Sequence, residues 1–277
     1  MNIFLINILA VIFCLVVGYI FGSIPTAVWV GKVFFHQDPR KFGSHNAGGT
    51  NAGRLWGKKV GFLIIVLDML KTIAPTWICW ALFTFVKFDY SGIKLAISDL
   101  EIAALQLEYG IENARGLCAT VMQYYTSANN LFAIQWPVYW VVILGVMCGH
   151  CWPLFAGFKG GKAASCFMGT TVASTWLFGF LPGFAYFGIL KWKKYVSLTA
   201  ILTALIDIVL SWTWVILVAL KVIPHGWEAF PMYGLTLNLN WTYAAVITIL
   251  GVVMTIRHHE NIKRIINGTE RKITWMK

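Results

Sequence analysis

Three short segments of this chain combine glycines with polar and basic residues, a composition typical of loops that bind anions. They read GSHNAGGTNAGR at 43–54, GHCWPLFAGFKGGK at 149–162 and RHHENIKRIINGTE at 257–270. Glycine lets backbone N–H groups approach a ligand closely, and the polar and basic side chains add hydrogen-bond donors and positive charge. Each segment borders a long apolar run. The pattern indicates one phosphate- or carboxylate-binding site, built from distant parts of the chain at one face of a membrane.

The first segment predicts a concave backbone site for an anion. Its glycines can adopt positive φ, so that consecutive N–H groups converge on one ligand. These glycines are Gly43, Gly48, Gly49 and Gly53, and the side-chain donors among them are Ser44, Asn46, Thr50 and Asn51. Arg54 can close the site with a bidentate guanidinium. A flexible loop of ordinary loop residues is the alternative.

The second segment ends in FKGGK, which resembles a turn that grips phosphate before a helix start. Gly160, Gly161 and Lys162 would then lie where unpaired N–H groups and the helix dipole favour negative charge. The Walker A spacing is absent and Ala163 follows the lysine, so nucleotide hydrolysis is disfavoured. Lysines are also common after a cytosolic helix end without any binding function.

The third segment places His258 and Asn261 three residues apart. On a helix these two side chains share one face and can contact one ligand together. Arg257, Lys263 and Arg264 flank them. A basic helix at the membrane surface is the alternative. All three segments are basic and are predicted on the same side of the membrane, which favours a shared site.

The composition indicates a membrane protein. The 277 residues are 58% hydrophobic and 12% charged, with a mean hydropathy of +0.71, far from the usual range of soluble domains. Apolar stretches near the length of a spanning helix cover 3–24, 60–86, 136–150, 197–221 and 241–256. The stretch 163–190 is interrupted at Pro182 and Gly183 and predicts two short or re-entrant helices. We therefore expect an all-α polytopic bundle of about seven spans, whose first segment stays as a helix.

Lysine and arginine residues are divided unevenly between the two ends of these spans. Seventeen lie in 31–59, 150–162, 191–195 and the tail from 257, whereas 87–135 and 221–240 hold four. The positive-inside rule then puts the N-terminus outside and the C-terminus in the cytosol, with all three anion-binding segments cytosolic. Anionic lipid headgroups account for the net charge of +11 without any nucleic-acid partner.

A few residues inside or between the spans need their own interpretation. Asp68 and Lys71 are one helical turn apart. They are expected either to pair or to lie near the cytosolic surface, because an unpaired charge is costly in a membrane. Asp207 fits a structural hydrogen bond at least as well as a catalytic role. The outer segment 87–135 predicts an amphipathic helix over about 97–125. The six cysteines show no disulfide pattern, and the C-x-x-C around His150 lacks a second ligand pair for a metal.

With these motifs assembled, the chain resembles the PlsY family of bacterial membrane glycerol-3-phosphate acyltransferases. The resemblance covers nearly the whole chain. It rests on GSIPTAVWVGK at 22–32, GSHNAGGTNAGR at 43–54, LDMLK at 67–71, GHCWPLFAGFKGGKA at 149–163 and RHHENIKRIINGTE at 257–270, in the family's order. It implies a single transmembrane acyltransferase domain over 1–277, multi-pass in the bacterial plasma membrane, with the active site facing the cytoplasm and 87–135 as an extracytoplasmic insertion.

The resemblance also implies the reaction and its residues. An acyl chain would pass from acyl-phosphate to the 1-hydroxyl of glycerol-3-phosphate, giving lysophosphatidic acid and phosphate without coenzyme A, acyl carrier protein, metal or other cofactor, in a monomer embedded in membrane lipid. By the family's motifs, Ser44 and Arg54 are essential, Gly160, Gly161 and Lys162 bind glycerol-3-phosphate, His258 and Asn261 belong to the third motif, and Glu270 is structural.

This chain departs from the family pattern at several positions. The family usually has glycine where this chain has His45, Thr72 and Ala163, and alanine where it has Gly49. His45 stands in the first motif and can either contact a phosphate or point to solvent. A catalytically lapsed lipid-binding homologue is favoured only if His45 or Ala163 disrupts the pocket.

Both implied substrates are anions, so catalysis requires a cationic, water-excluding pocket that holds two phosphates close together. The sequence offers no Ser-His-Asp arrangement as a nucleophile, which predicts direct attack without an acyl-enzyme. The base is either His258 or a substrate phosphate oxygen. A phosphate or organic-anion transporter is the competing interpretation, but transporters bind near mid-membrane between corresponding broken helices.

Overall fold

In the computed structural model, residues 3–85, 138–174, 176–223 and 241–273 are described. Every regular element among them is helical. The helices are α1 Ile3–Gly22, α2 Thr26–Phe35, α3 Gly49–Trp56, α4 Lys58–Phe85, α5 Val142–Cys151, α6 Ala164–Ser174, α7 Trp176–Lys193, α8 Val196–Ala219, α9 Trp241–Arg257 and α10 His259–Ile266. Short 3-10 turns lie at Pro39–Lys41, Val138–Val141 and Leu154–Ala156.

The helices confirm the predicted membrane architecture in outline. Within the described ranges, four stretches are long and apolar enough to cross a bilayer, namely Ile8–Phe35, Lys58–Leu82, Tyr139–Ala156 and Val196–Ala219. Helices α9 and α10 meet at 57° and make a fifth if they form one broken span. All five of the long apolar stretches predicted from sequence are helical. The total of seven spans and the orientation of the termini stay predictions, and the expected helix over 97–125 lies outside the described residues.

Glycines allow α1 and α5 to pack against each other at short distance. Gly18 and Gly22 of α1 face Val142 and Val146 backbone atoms, and Gly145 and Gly149 of α5 face α1 in return. A methyl group at any of these four glycines would collide with the opposite backbone. Small residues give membrane helices their close approach, because lipid provides no hydrophobic force between them. This contact fixes the end of α5, from which the second segment departs.

The apolar core includes a cluster of aromatic rings. Trp140 and Tyr243 are fully buried, and their ring centroids are 4.8 Å apart. Phe178 packs edge-on against Tyr243, with the centroids 5.6 Å apart. Tilted and edge-to-face arrangements of this kind are the favoured geometries of aromatic pairs. The cluster joins the turn before α5 to α7 and α9.

Two predictions of local structure were wrong. The stretch 163–190 does form two helices, as predicted, but the break does not fall at Pro182 and Gly183. Helix α6 ends at Ser174, and α7 runs from Trp176 through Pro182 to Lys193. A membrane helix tolerates an internal proline, since neighbouring groups satisfy the carbonyl that loses its donor. The segment 43–54 is also not a loop throughout, because its second half forms α3.

Candidate active site

The three segments meet around one pocket of about 110 Å³. Its polar lining includes Ser44, Asn46, Gly48, Gly49, Thr50, Asn51 and Arg54 from the first segment, His150 and Lys162 from the second, and His258, Asn261 and Glu270 from the third. The structure thus brings together residues more than 200 positions apart. Of the predicted binding residues, Gly160 and Gly161 do not line this pocket and border a small neighbouring cavity instead.

The first segment presents the N-terminus of α3 to the pocket. Gly48 is the cap residue, and both Gly49 and Thr50 line the pocket. N–H groups in the first turn of a helix have no intrahelical partner, and the dipole adds positive potential there. An anion can therefore bind at Gly49 and Thr50, beside the Arg54 side chain one turn later.

Asn51 shapes the loop before α3 with its side chain. It is 1% exposed. Its amide nitrogen donates to the carbonyls of Pro39, Phe42 and Asn46 at 2.8–3.1 Å, and its Oδ1 accepts from the N–H of Ser44 at 2.9 Å. These bonds occupy the polar atoms that were predicted to contact phosphate. Asn51 instead holds Ser44 in place at the pocket wall.

The glycines of this segment serve packing more than loop conformation. Only Gly43 of the four has positive φ, at 66°. A Cβ at Gly49 would lie 2.6 Å from the Gly61 carbonyl oxygen, and one at Gly61 would lie 2.6 Å from the Gly53 Cα. The prediction of positive φ at Gly48, Gly49 and Gly53 was therefore wrong, because these residues belong to a helix start that rests directly on α4.

The second segment folds back over the end of α5. The N–H of Gly160 donates to the Cys151 carbonyl at 3.2 Å, and that of Gly161 to the His150 carbonyl at 2.9 Å. These two N–H groups hold the turn and are not free for a phosphate, contrary to the predicted direct contact. Lys162 follows and reaches into the pocket. Ala163 then has φ of 62°, a left-handed conformation that explains why glycine suits this position.

The third segment bends at His258. Its Nδ1 lies 2.8 Å from the Met254 carbonyl oxygen. A carbonyl only accepts, so Nδ1 carries the hydrogen of the neutral imidazole and Nε2 keeps a lone pair. The side chain is buried and lines the pocket. His258 can therefore accept a proton from a bound hydroxyl.

Glu270 anchors a hydrogen-bond network on the same side of the pocket. Its Oε1 accepts from the Asn261 amide at 2.7 Å and from Ser197 Oγ at 3.0 Å, and its Oε2 accepts from Arg264 Nε at 2.7 Å. Burial alone would raise the pKa of Glu270, but these donors outweigh it and hold the pKa below its ordinary value. Asn261 Oδ1 in turn accepts from Lys162 Nζ. Glu270 thus orients Asn261, and Asn261 orients Lys162. The structural role of Glu270 stays a prediction.

Burial and neighbouring positive charges lower the pKa of the Lys162 side chain. Burial lowers the pKa of Lys162 to about 8, with further lowering by the positive charges of Arg264, Arg257 and Arg54, while Glu270 acts in the opposite direction. Three arginines thus act on Lys162 against the single carboxylate of Glu270. This surplus of positive charge is what a site for phosphorylated substrates requires.

Part of the pocket lining is apolar. This part includes Ile65, Phe167, Met168, Tyr186, Ala200 and Met254. Sequence reasoning missed it, because apolar residues on membrane helices carry no signal of which face turns to a pocket. It also missed His150 and Ser197, which line the pocket as well. The position of His150 in the GHCWP motif could have indicated the first of them.

The intramembrane charges lie below the pocket and outside its lining. Lys71 Nζ and Asp68 Oδ1 are 2.9 Å apart, and both side chains are buried, which confirms the expected pair. Asp207 is fully buried, and among the described residues its carboxylate has no hydrogen-bond partner. The structure therefore shows neither the structural hydrogen bond predicted for Asp207 nor a position in the pocket lining that would suit a catalytic role.

The family model for glycerol-3-phosphate acyltransferase matches residues 12–268. This chain belongs to the glycerol-3-phosphate acyltransferase family. Similar relatives include the glycerol-3-phosphate acyltransferases of Streptococcus pneumoniae strain CGSP14 and Enterococcus faecalis strain ATCC 700802 / V583, each 28% identical. The alignments cover 94% and 96% of this chain, and 92% and 93% of the relatives.

Two crystal structures of PlsY, an integral membrane glycerol 3-phosphate acyltransferase, share the fold. The glycerol 3-phosphate form has a TM-score of 0.63 and the lysophosphatidic acid form one of 0.61, both at 23% identity. The matches cover 95% of this chain, and 96% and 95% of those chains. The proposed resemblance to the PlsY family is confirmed, which favours acyl transfer over anion transport.

The departure at His45 has a structural explanation and a testable consequence. His45 has φ of 54°, its side chain is exposed, and its Nδ1 lies 3.2 Å from the Arg40 carbonyl oxygen, outside the pocket lining. Surface substitutions away from special features change little. His45→Ala should leave the KM for glycerol-3-phosphate within about threefold of wild type, since about 0.6 kcal/mol corresponds to that factor.

The matched comparison is Ser44→Ala, in the neighbouring residue that lines the pocket. Its KM should rise by more than the His45 variant's in the same steady-state assay. A tenfold rise for His45→Ala would show instead that this imidazole contacts a phosphate.

Proposed function

We propose that this glycerol-3-phosphate acyltransferase takes its acyl group from acyl-phosphate and transfers it directly to the 1-hydroxyl of glycerol-3-phosphate. The observation that carries the proposal is the convergence of three polar and basic segments on one pocket that also has apolar residues in its lining. The basic residues fit the phosphates of both substrates. The apolar residues fit the start of an acyl chain, whose remainder would extend between helices into the bilayer.

The donors divide naturally between the two phosphates. The α3 N-terminus with Ser44 and Arg54 forms one donor group, and Lys162 with Asn261 forms the other. We assign phosphate binding to both groups, with Gly160 and Gly161 acting through the position of Lys162. Holding both anions at once converts a bimolecular reaction into one between fixed neighbours, worth about 7–11 kcal/mol at best.

Transfer then follows from the placement of these groups. The 1-hydroxyl oxygen attacks the acyl carbonyl carbon, the bond from that carbon to the phosphate oxygen breaks, and inorganic phosphate leaves with the bonding electrons. The hydroxyl proton passes to His258 Nε2 or to a phosphate oxygen of the substrate. Phosphate is a good leaving group, so the step needs charge stabilisation from Lys162 and Arg54 more than a strong acid.

We further propose that the pocket faces the cytoplasm of a bacterial cell. Its segments lie in regions that, together with 191–195, hold seventeen of the 22 lysines and arginines. The enzyme would act as a monomer, since all residues assigned to the pocket come from one chain. The segment 87–135 would lie on the opposite side as an insertion.

Purified protein tests the donor and the direct transfer. With acyl-phosphate and glycerol-3-phosphate together, lysophosphatidic acid and phosphate should form in equal amounts, and neither substrate alone should release product. Acyl-coenzyme A should not replace acyl-phosphate. Rapid acid quench of the protein with acyl-phosphate alone should yield no acyl-protein; a stoichiometric acyl-protein that glycerol-3-phosphate discharges would refute direct attack.

A further inference from the structure

His150 lies directly beneath the turn that carries Lys162. It stands in the last turn of α5 and is 6% exposed. Its backbone carbonyl accepts the N–H of Gly161 at 2.9 Å. A Cβ on Gly161 would collide with the imidazole, with Nε2 as its nearest atom and Cδ2 and Cε1 next at 2.9 Å. The ring is therefore in contact with the Gly161 backbone, and only glycine fits above it.

The other edge of the His150 ring faces the carboxylate of Asp68, which Thr26 and Lys71 hold in place. His150 Nδ1 lies 3.8 Å from Asp68 Oδ1. The same oxygen accepts from Thr26 Oγ1 at 2.5 Å and pairs with Lys71 Nζ at 2.9 Å. Lys71 also donates to the Ile24 carbonyl at 3.1 Å. The imidazole thus lies between a carboxylate held by two helices and the turn that leads to Lys162.

The arrangement of His150 and Asp68 does not maximise the stability of the fold. Among the described residues, His150 Nδ1 and Asp68 Oδ2 are buried without a hydrogen-bond partner. Buried polar atoms without partners destabilise a fold, and an apolar side chain would fill the same space without that cost. A polar side chain thus occupies the space between Asp68 and the Gly161 turn, next to the pocket.

We propose that His150 is a positioning residue for glycerol-3-phosphate. Its imidazole, which lies beside Asp68, supports Gly161 from below and so sets the height at which Lys162 enters the pocket. The proposal rests on the proposed function only in that the pocket binds glycerol-3-phosphate. His150 acts through the turn, so its loss should weaken binding of this substrate more than it slows transfer.

A suppressor experiment tests the contact. Gly161→Ala should raise the Kd for glycerol-3-phosphate by more than about tenfold, because the new methyl displaces the turn from the ring. Adding His150→Ala removes the colliding ring and should bring the Kd back to that of His150→Ala alone, a strongly non-additive result. A double variant no better than Gly161→Ala would overturn the proposal. So would full binding by His150→Ala itself.

Two conservative variants separate support of the turn from general packing. The amide of His150→Gln can reach the position of Nε2 under Gly161, whereas that of His150→Asn reaches only the position of Nδ1. We expect the glutamine variant to bind within about threefold of wild type and the asparagine variant about tenfold more weakly, with kcat changed less than KM in both. Equal Kd values for the two variants would contradict support through the turn.

Gly188→Ala serves as the matched control, because a Cβ there meets nothing within 4 Å. It should bind and turn over like wild type, and each variant should elute as folded protein. Calorimetric Kd values for glycerol-3-phosphate do not depend on the acyl donor. If the variants show the expected Kd differences but wild type does not turn over acyl-phosphate, only the proposed donor is refuted. If wild type turns over acyl-phosphate but the His150 variants bind glycerol-3-phosphate with the wild-type Kd, only the role of His150 is refuted.

Discussion

Replacing Lys162 by methionine should lower kcat/KM for glycerol-3-phosphate by about a thousandfold, since losing one partner of a buried charged contact costs about 2–5 kcal/mol. Methionine keeps much of the apolar stem and removes the charge. The loss should appear in both KM and kcat, because we propose that the ammonium group contacts a phosphate in the bound and reacting states. Steady-state rates with purified variant measure it.

The pH dependence separates a charge effect from a shape effect. The pKa of Lys162 is lowered to about 8, first by burial and then by the charge of Arg264. The charged form exists below this pKa, so kcat/KM for glycerol-3-phosphate should fall as pH rises through about 8 and hold steady from pH 7 downwards to the substrate's own titration near 6.

Lys162→Arg provides the control for this profile. Arginine stays charged throughout, so the fall near pH 8 should disappear even though the absolute rate is lower. A wild-type profile that stays flat to pH 9.5 would show that the charge of Lys162 is not needed for substrate binding.

Removing the Asp68 carboxylate should cost about 3–5 kcal/mol of folding free energy, because Lys71 would keep a buried charge without its partner. Thermal unfolding of Asp68→Ala in detergent measures the loss. Lys71→Met should destabilise less, since Thr26 Oγ1 still donates to Asp68. The double variant should be more stable than Asp68→Ala alone, because no unpaired charge remains.

This cycle has a clear contrary outcome. If the two single losses add in the double variant, the two side chains do not interact, and the 2.9 Å ion pair has no energetic weight. Trp29→Ala, at an exposed position of α2, provides a comparison outside the network.

Much of the candidate site could be predicted from the sequence, because charged residues and long apolar stretches are recognisable in the sequence itself. Residues such as Arg54, Lys162 and His258 stand next to long apolar stretches, where insertion into a membrane fixes their depth. Their order relative to the spans also placed them on one side. Convergence on one pocket followed from topology without any knowledge of helix packing.

The details that failed depend on tertiary contacts. Glycines at 48, 49 and 53 look the same in a loop and in a helix that touches α4, and only the position of Gly61 decides between them. The N–H groups of Gly160 and Gly161 have partners at the end of α5 that no local pattern shows. Pro182 would disfavour a helix in a soluble protein, but a membrane helix tolerates proline because neighbouring groups satisfy the freed carbonyl.

The sidedness of the pocket can be measured directly with single cysteines beside each segment. His45, Lys159 and Lys263 are exposed, and none is assigned to substrate binding. A membrane-impermeant maleimide, followed by mass spectrometry of the labelled peptides, should modify all three cysteines in inside-out vesicles and none in right-side-out vesicles. Modification of any one of them from the opposite face would separate the segments and rule out a shared site for the two phosphorylated substrates.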